Sequence, residues 1–212
     1  MKYLAGLTMI ILLVSCNSIN SIFVDRKNKK KIEALYGPDI WSTYFKTKTT
    51  PRGRTIRLKI INDNFYQVQW GISPNLKTYP QLFMLDGHET WIPSYIDENS
   101  DFIVLRQGCG SPCWIRYLLP LSDSLKTYVF NEYFEYDLND NLVAYPGESY
   151  IGITNISTNV SESHQIGKCD AAFIGACIDS LSIKDKILKY KWLPNNFTDL
   201  TDAKWIIEKI KI

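Results

Sequence analysis

The chain has 212 residues, of which 45% are hydrophobic and 13% aromatic, so it can fold around one sizeable core or two small ones. This composition excludes a chain that is disordered throughout. A formal net charge of +2 gives no general affinity for nucleic acid. We therefore expect a globular protein with no nucleic-acid partner.

The first element in chain order is an apolar segment at the N-terminus. A lysine at position 2 precedes the almost uncharged residues 3–14, which match the length of a signal-peptide core and are too few for the ~20 residues that span a bilayer. The sequence LVSC at 13–16 follows and resembles the lipobox of bacterial lipoproteins. This resemblance implies a signal peptide over residues 1–15 and a mature N-terminus at Cys16 that carries lipid, palmitate included, and anchors the protein to the membrane.

The residue after the cysteine bears on location. In the lipoprotein family, an aspartate at this place tends to retain the protein at the inner membrane, and this chain has Asn17 instead. The acidic run that exports some lipoproteins to the cell surface is also missing. The resemblance thus implies a lipid-anchored protein of the bacterial cell envelope, at the outer membrane and facing the periplasm.

Charge is distributed unevenly along the chain. Residues 26–59 contain eleven Lys or Arg against two acids, whereas residues 60–183 contain five against fifteen. We interpret residues 16–33 as a basic polar tether that follows the lipidated cysteine. Its cations either remain in solvent or rest on anionic headgroups, where each would contribute about 1 kcal/mol.

The remainder, residues 34–212, is predicted to be a single all-β domain, with a short N-terminal helical piece near 29–36 and another near 198–206. Apolar residues alternate with polar ones over 55–72, on either side of an Asn-Asp-Asn turn, which is typical of a β-hairpin. Similar hairpins are predicted over 82–92, 101–121, 126–145 and 182–193. We expect antiparallel hairpins that form a sandwich, an open barrel or a small propeller-like array.

An internal repeat favours the propeller-like alternative. The segments IINDNFYQV (60–68), IDENSDFIVL (96–105) and YDLNDNLVAY (136–145) share a polar turn followed by an apolar strand. Their spacing near forty residues suits the blades of a propeller. The copies share turn composition more than sequence, so the sandwich and the open barrel stay open.

Four cysteines remain once Cys16 is assigned to lipid: Cys109, Cys113, Cys169 and Cys177. An even number in an oxidising compartment predicts disulfides, and the short spacings favour the pairs 109–113 and 169–177. The segment GCGSPCW at 108–114 has the features of a rigid hairpin tip. Its Cys-x3-Cys spacing is also similar to the copper-binding loop of thioredoxin-fold copper chaperones, which add a distant histidine such as His164.

Other chemistry has weak signals. There is no serine-hydrolase elbow, phosphate loop, dinucleotide fingerprint or His-Glu-x-x-His helix. Asp137, Asn139, Asn141 and Glu148 fall at the ligand positions of a calcium loop, but Leu142 stands where the sharp turn needs glycine. We expect no catalytic residue, no metal and no cofactor.

The function that these patterns favour is binding rather than catalysis. An acidic middle segment rich in Tyr and Trp suits a binding or inhibitory module whose partner is a protein or a glycan of the envelope. A structural envelope component and a redox or copper-handling protein acting through Cys109 and Cys113 remain alternatives. The candidate binding residues are Asp97, Asp101, Trp114, Asp137 and Asp140.

Overall fold

The computed structural model describes residues 26–85, 91–110, 113–131, 134–147, 149–167, 177–193 and 203–212, without the side chains of 110, 113 and 131. The signal peptide over 1–15 and the lipid site Cys16 lie outside these ranges. The chain divides into two compact units, Met1–Ile92 and Pro93–Ile212. We call them the N-terminal and the C-terminal unit.

The N-terminal unit combines helical segments with one antiparallel sheet. Helix α1 covers residues 26–36 and a π-helical segment covers Trp41–Phe45. The strands are β1 (Lys48–Thr49), β2 (Thr55–Ile60), β3 (Phe65–Ile72), β4 (Asn75–Thr78) and β5 (Phe83–Met84). They follow the order β1-β2-β3-β4, with β5 also paired to β3.

The core of this unit lies against one face of β2 and β3. Their apolar residues are buried at every second position, as period-two patterning requires. Tyr66 is fully buried, with Phe45 edge-on to it and Phe83 stacked on it, both at 5.4 Å between ring centroids. Helix α1 contributes Ile32, which is also fully buried. The described part of the expected tether, 26–33, is therefore helix with a buried side chain rather than a solvated linker.

The C-terminal unit contains three antiparallel meander sheets, each with its strands in chain order. The first consists of β6 (Ser94–Glu98), β7 (Phe102–Gly110), β8 (Cys113–Pro120) and β9 (Tyr128–Asn131). The second consists of β10 (Glu135–Asp137), β11 (Leu142–Pro146), β12 (Tyr150–Asn155) and β13 (Val160–Gln165). The third consists of β14 (Ile178–Lys184), β15 (Ile187–Trp192) and β16 (Lys204–Lys209).

These three sheets form a stack in which the middle sheet is buried on both faces. Strand β11 shows the reason, because successive side chains of a strand point to opposite faces. Leu142 and Ala144 join one apolar cluster with Leu188 of the third sheet, while Val143 joins another with Phe102 of the first sheet. The all-β prediction of antiparallel hairpins is therefore confirmed.

The repeated turn composition has a structural cause. In each of the three segments the first Asn or Asp of the turn accepts backbone N–H groups two or three residues further along, which is an Asx turn. The acceptors are Asn62, Asn99 and Asp137. Each turn closes a hairpin, so the similarity of the segments reflects one local solution used three times.

The two helical predictions have different outcomes. The piece near 29–36 is confirmed as part of α1. The piece near 198–206 is wrong for residues 204–206, which belong to strand β16 and pair with β15. Trp205 and Ile207 point away from the core while Ile206 packs against it, so alternation rather than helical spacing describes this segment.

Candidate functional site

Two of the candidate binding residues, Asp101 and Asp137, lie in the hairpin turns of the C-terminal unit. Asp137 is only 7% exposed, and its two carboxylate oxygens accept the backbone N–H groups of Asn139 at 2.9 Å and Asp185 at 3.0 Å. Asp101 accepts the side-chain amide of Asn141 at 3.3 Å. These contacts join the turns of successive sheets, so both carboxylates have a structural role.

The remaining candidates are placed differently. Asp97 accepts the backbone N–H of Glu98 at 2.8 Å and is hydrogen-bonded to Tyr136. Asp140 is half-buried beside the turn that follows β10. Trp114, on β8, is 39% exposed and is the most accessible of the five. The structure thus engages the carboxylates of Asp97, Asp101 and Asp137 in intramolecular contacts and leaves the tryptophan partly open to solvent.

The cysteines lie in the C-terminal unit. Cys109 in β7 and Cys177 just before β14 are each disulfide-bonded. The side chains of their possible partners, Cys113 and Cys169, are outside the described residues. The pairing 109–113 and 169–177 therefore stays a prediction.

A cleft of about 500 Å³ in the N-terminal unit was not predicted. It opens between the start of α1, the π-helical segment with the residues that follow it, and strand β2. Eleven residues that the structure describes line it, and among these there is no carboxylate and there are five cations: Arg26, Lys29, Lys46, Arg57 and Lys59. We call this the basic cleft.

The local sequence explains why cations line the basic cleft. Arg57 and Lys59 occupy the exposed positions of β2, between buried apolar residues. Arg26 and Lys29 are three residues apart on α1 and therefore share one face of the helix. An apolar element is also present, because Trp41 lines the cleft and stacks on Phe45 at 6.1 Å between ring centroids.

Acids close to α1 neutralise only part of this charge. Glu33 lies 3.6 Å from Lys29 across one helical turn. Asp63 pairs with Lys31 at 3.0 Å, on residues that do not line the cleft. The hydrogen bond from Lys31 and its positive charge lower the pKa of Asp63. Arg26, Lys46, Arg57 and Lys59 form no ion pair with a carboxylate in the described ranges.

The arrangement of cations in the basic cleft can bind an anion. Arginine and lysine donate charge-assisted hydrogen bonds to phosphate and carboxylate oxygens, and a partly enclosed site strengthens them. No group of three or more His, Cys, Asp or Glu side chains that could hold a metal occurs in the described parts of the chain. Nor does any helix there have the length and apolarity to cross a membrane.

The sequence did contain a signal for the basic cleft, namely the excess of cations over 26–59. The prediction of a tether over 16–33 placed the cations of α1 outside the folded domain that contains β2. Their convergence depends on the packing of α1 against the sheet, which no local pattern reports. Comparisons with family models, curated proteins and solved structures give no match to this chain.

Proposed function

We propose that this protein is a lipid-anchored lipoprotein of the bacterial cell envelope that binds without catalysing, and that the basic cleft receives a phosphate-bearing ligand. The observation that carries the ligand proposal is the cleft itself, with five cations and no carboxylate among the lining residues that the structure describes. The observation that carries the anchor is the LVSC segment at 13–16.

The position of the basic cleft along the chain links these two features. Arg26 comes ten positions after Cys16, and ten residues extend over at most about 35 Å. A lipid on Cys16 would hold the start of α1, and with it the cleft, within that distance of the membrane surface. Phosphate groups of lipid headgroups are the most abundant anions there, and each nearby cation gains about 1 kcal/mol from them.

The other functions gain less support. An acidic binding surface would need free carboxylates, and Asp97, Asp101 and Asp137 are engaged within the fold. A copper-handling role would need the free thiol of Cys109, which is disulfide-bonded, whereas a redox role is compatible with that disulfide. A structural envelope component remains compatible with the fold, but no observation favours it over a binding module.

The test is binding of phosphate compounds by the full chain in nonionic detergent. We expect saturable binding of glycerol phosphate that weakens with added salt. Replacing both Arg57 and Lys59 by Gln removes two charge-assisted hydrogen bonds, each worth about 1.5–3 kcal/mol, so affinity should fall at least about tenfold. Lys30→Gln is the matched control, because Lys30 is an exposed cation of α1 outside the cleft lining.

Vesicles separate the two sources of phosphate. Association with phosphatidylcholine vesicles reports the lipid anchor alone, and added phosphatidylglycerol reports the basic cleft. If the Arg57/Lys59 double variant loses only its binding to phosphatidylglycerol vesicles, the ligand is a lipid headgroup. If it loses only its binding to glycerol phosphate, the ligand is a soluble compound. Equal behaviour of the double variant and the Lys30→Gln control in both arms refutes the proposal.

A further inference from the structure

Two arginines lie directly opposite each other in the first sheet of the C-terminal unit. Arg106 on β7 pairs in register with Arg116 on β8. Side chains at such positions point to the same face with their Cβ atoms about 5 Å apart, and like charges there repel. The fold therefore maintains a pair of positive charges that would be more stable with an anion between them.

Neither guanidinium is neutralised by the described residues. The carbon Cζ of Arg106 lies 4.4 Å from the ring centroid of Trp114, and that of Arg116 lies 4.5 Å from the ring of Phe134. Arg116 also donates a hydrogen bond to the carbonyl oxygen of Phe134 at 2.8 Å. The Nε atoms of both arginines are buried and have no hydrogen-bond partner in the described part of the chain.

One carboxyl group, that of Glu135, interacts electrostatically with Arg116. Burial raises the pKa of Glu135, and the positive charge of Arg116 only partly opposes that rise. Glu135 is half-buried on β10, and it forms no ion pair with Arg116 in the described ranges. Among the residues that the structure describes, no carboxylate therefore forms an ion pair with either arginine.

Trp114 adds an apolar surface beside the pair. It lies opposite Gly108 in the β7–β8 ladder and diagonally from Arg106, whose guanidinium it contacts. Because glycine has no side chain, nothing at position 108 competes for the space next to the ring. Trp114 remains 39% exposed, so part of its indole is accessible to a ligand.

We infer that Arg106, Arg116 and Trp114 form a binding site for a carboxylate-bearing sugar. The planar forks of two arginines match the geometry of a carboxylate, which accepts two parallel N–H donors. The indole provides a flat apolar surface for the C–H face of a sugar ring, the usual combination of one apolar wall and a few polar groups. This site lies wholly in the C-terminal unit and is independent of the basic cleft and of its proposed phosphate ligand.

The experiment is an NMR titration of the ¹⁵N-labelled full chain in nonionic detergent with D-glucuronate, and with D-glucose and acetate in parallel. We expect saturable shifts of the Trp114 indole N–H and of both arginine Nε–H signals with glucuronate. Glucose lacks the carboxylate and acetate lacks the ring, so each should bind at least about tenfold more weakly.

Variants assign the contributions. Arg106→Lys and Arg116→Lys keep the charge but lose the planar fork, and each should weaken glucuronate binding about tenfold or more. Trp114→Leu should remove the preference for glucuronate over acetate. Because Trp114 is exposed, this variant should fold, and it tests the site even if an arginine variant does not fold. Lys126→Gln, in an exposed loop of the same unit, should bind as the wild type does.

Two results overturn the inference. If glucuronate binds no better than glucose, the arginines do not recognise a carboxylate. If it binds no better than acetate, or leaves the Trp114 signal unmoved, the tryptophan does not receive a sugar ring. Neither result bears on phosphate binding in the basic cleft, which the Arg57/Lys59 variant tests separately.

Discussion

At the scale of single residues, His164 is the clearest case of a side chain whose surroundings set its chemistry. It lies on β13 between two carboxylates, with Nε2 3.0 Å from Glu162 of its own strand and Nδ1 hydrogen-bonded to Glu208 of β16. The second contact joins the middle and the third sheet of the C-terminal unit. Glu162 also accepts the backbone N–H of Lys211, and Glu208 is hydrogen-bonded to Tyr190.

The charge state of His164 predicts a pH-dependent stability. Burial lowers its pKa, but the hydrogen bonds and charges of Glu162 and Glu208 outweigh burial and raise the pKa above 6.5. A group with a raised pKa in the folded state stabilises fully below its unfolded pKa, and this contribution disappears as pH rises through the folded value. His164→Gln should therefore lower the free energy of unfolding near pH 6 by roughly 1 kcal/mol, allowing for partial solvent exposure, and by less near pH 8.5.

Urea unfolding at the two pH values, followed by circular dichroism, measures this difference. Glu208→Gln is the companion variant, because it removes the contact between the sheets without removing the histidine. It should also flatten the pH dependence. A His164→Gln protein that loses the same stability at both pH values would show that the imidazolium charge contributes nothing.

At the scale of secondary-structure elements, the pairing of β11 with β12 depends on one glycine. Gly152 lies opposite Tyr145, whose ring covers it, and a Cβ atom at 152 would be 2.7 Å from that ring. The same ring contacts Phe130 of the first sheet at 5.6 Å between centroids. Gly152→Ala should push the ring away from Phe130 and destabilise the fold by about 1–3 kcal/mol.

The same denaturation measurement tests this prediction against Val160→Ala on the neighbouring strand β13. Val160 is 49% exposed, and its truncation should change stability by no more than about 0.5 kcal/mol. If Gly152→Ala is as stable as Val160→Ala, the tyrosine ring has room to move and the close contact is not a constraint.

Features of the fold that depend on local sequence could be predicted, and those that depend on strand pairing could not. Period-two alternation and Asn-Asp turns are local, so the hairpins over 55–72 and 136–145 were predictable. The β16 strand was not, because residues 204–206 acquire strand geometry by pairing with β15. Arg106 and Arg116 lie opposite each other because the register of β7 and β8 shifts at the irregularity between Gly108 and Gly110. Their separation of ten residues in the sequence does not predict that shift.

The same distinction between local sequence and contacts in the folded chain applies to the candidate sites. Aspartates were proposed as ligand-binding groups because acids are frequent over 60–183, but turn chemistry explains Asp137 and Asp101. Trp114 was predicted as a binding residue and remains exposed beside Arg106. The basic cleft required α1 and β2 to meet, and sequence proximity gave no sign of it.

At the scale of the whole molecule, the proposed anchor determines where both sites operate. The cations over 26–59 follow Cys16 closely, while the C-terminal unit begins at Pro93, much further from the lipid along the chain. A lipid on Cys16 would therefore restrict the basic cleft to the neighbourhood of the membrane surface.

The anchor itself predicts how the protein fractionates. Cys16→Ser removes the only acyl acceptor in the LVSC segment, so metabolically supplied palmitate should label the wild type and not the variant. Because Cys16 is the cysteine of the lipobox-like LVSC segment, the variant should also lose processing before residue 16 and migrate as the longer precursor. Asn17→Asp serves as the control, because it should keep the label while shifting protein towards the inner membrane. Equal labelling of wild type and Cys16→Ser would show that another residue carries the lipid. Absence of label in both proteins would remove the anchor from the proposed function. The phosphate titration would still test the basic cleft in that case.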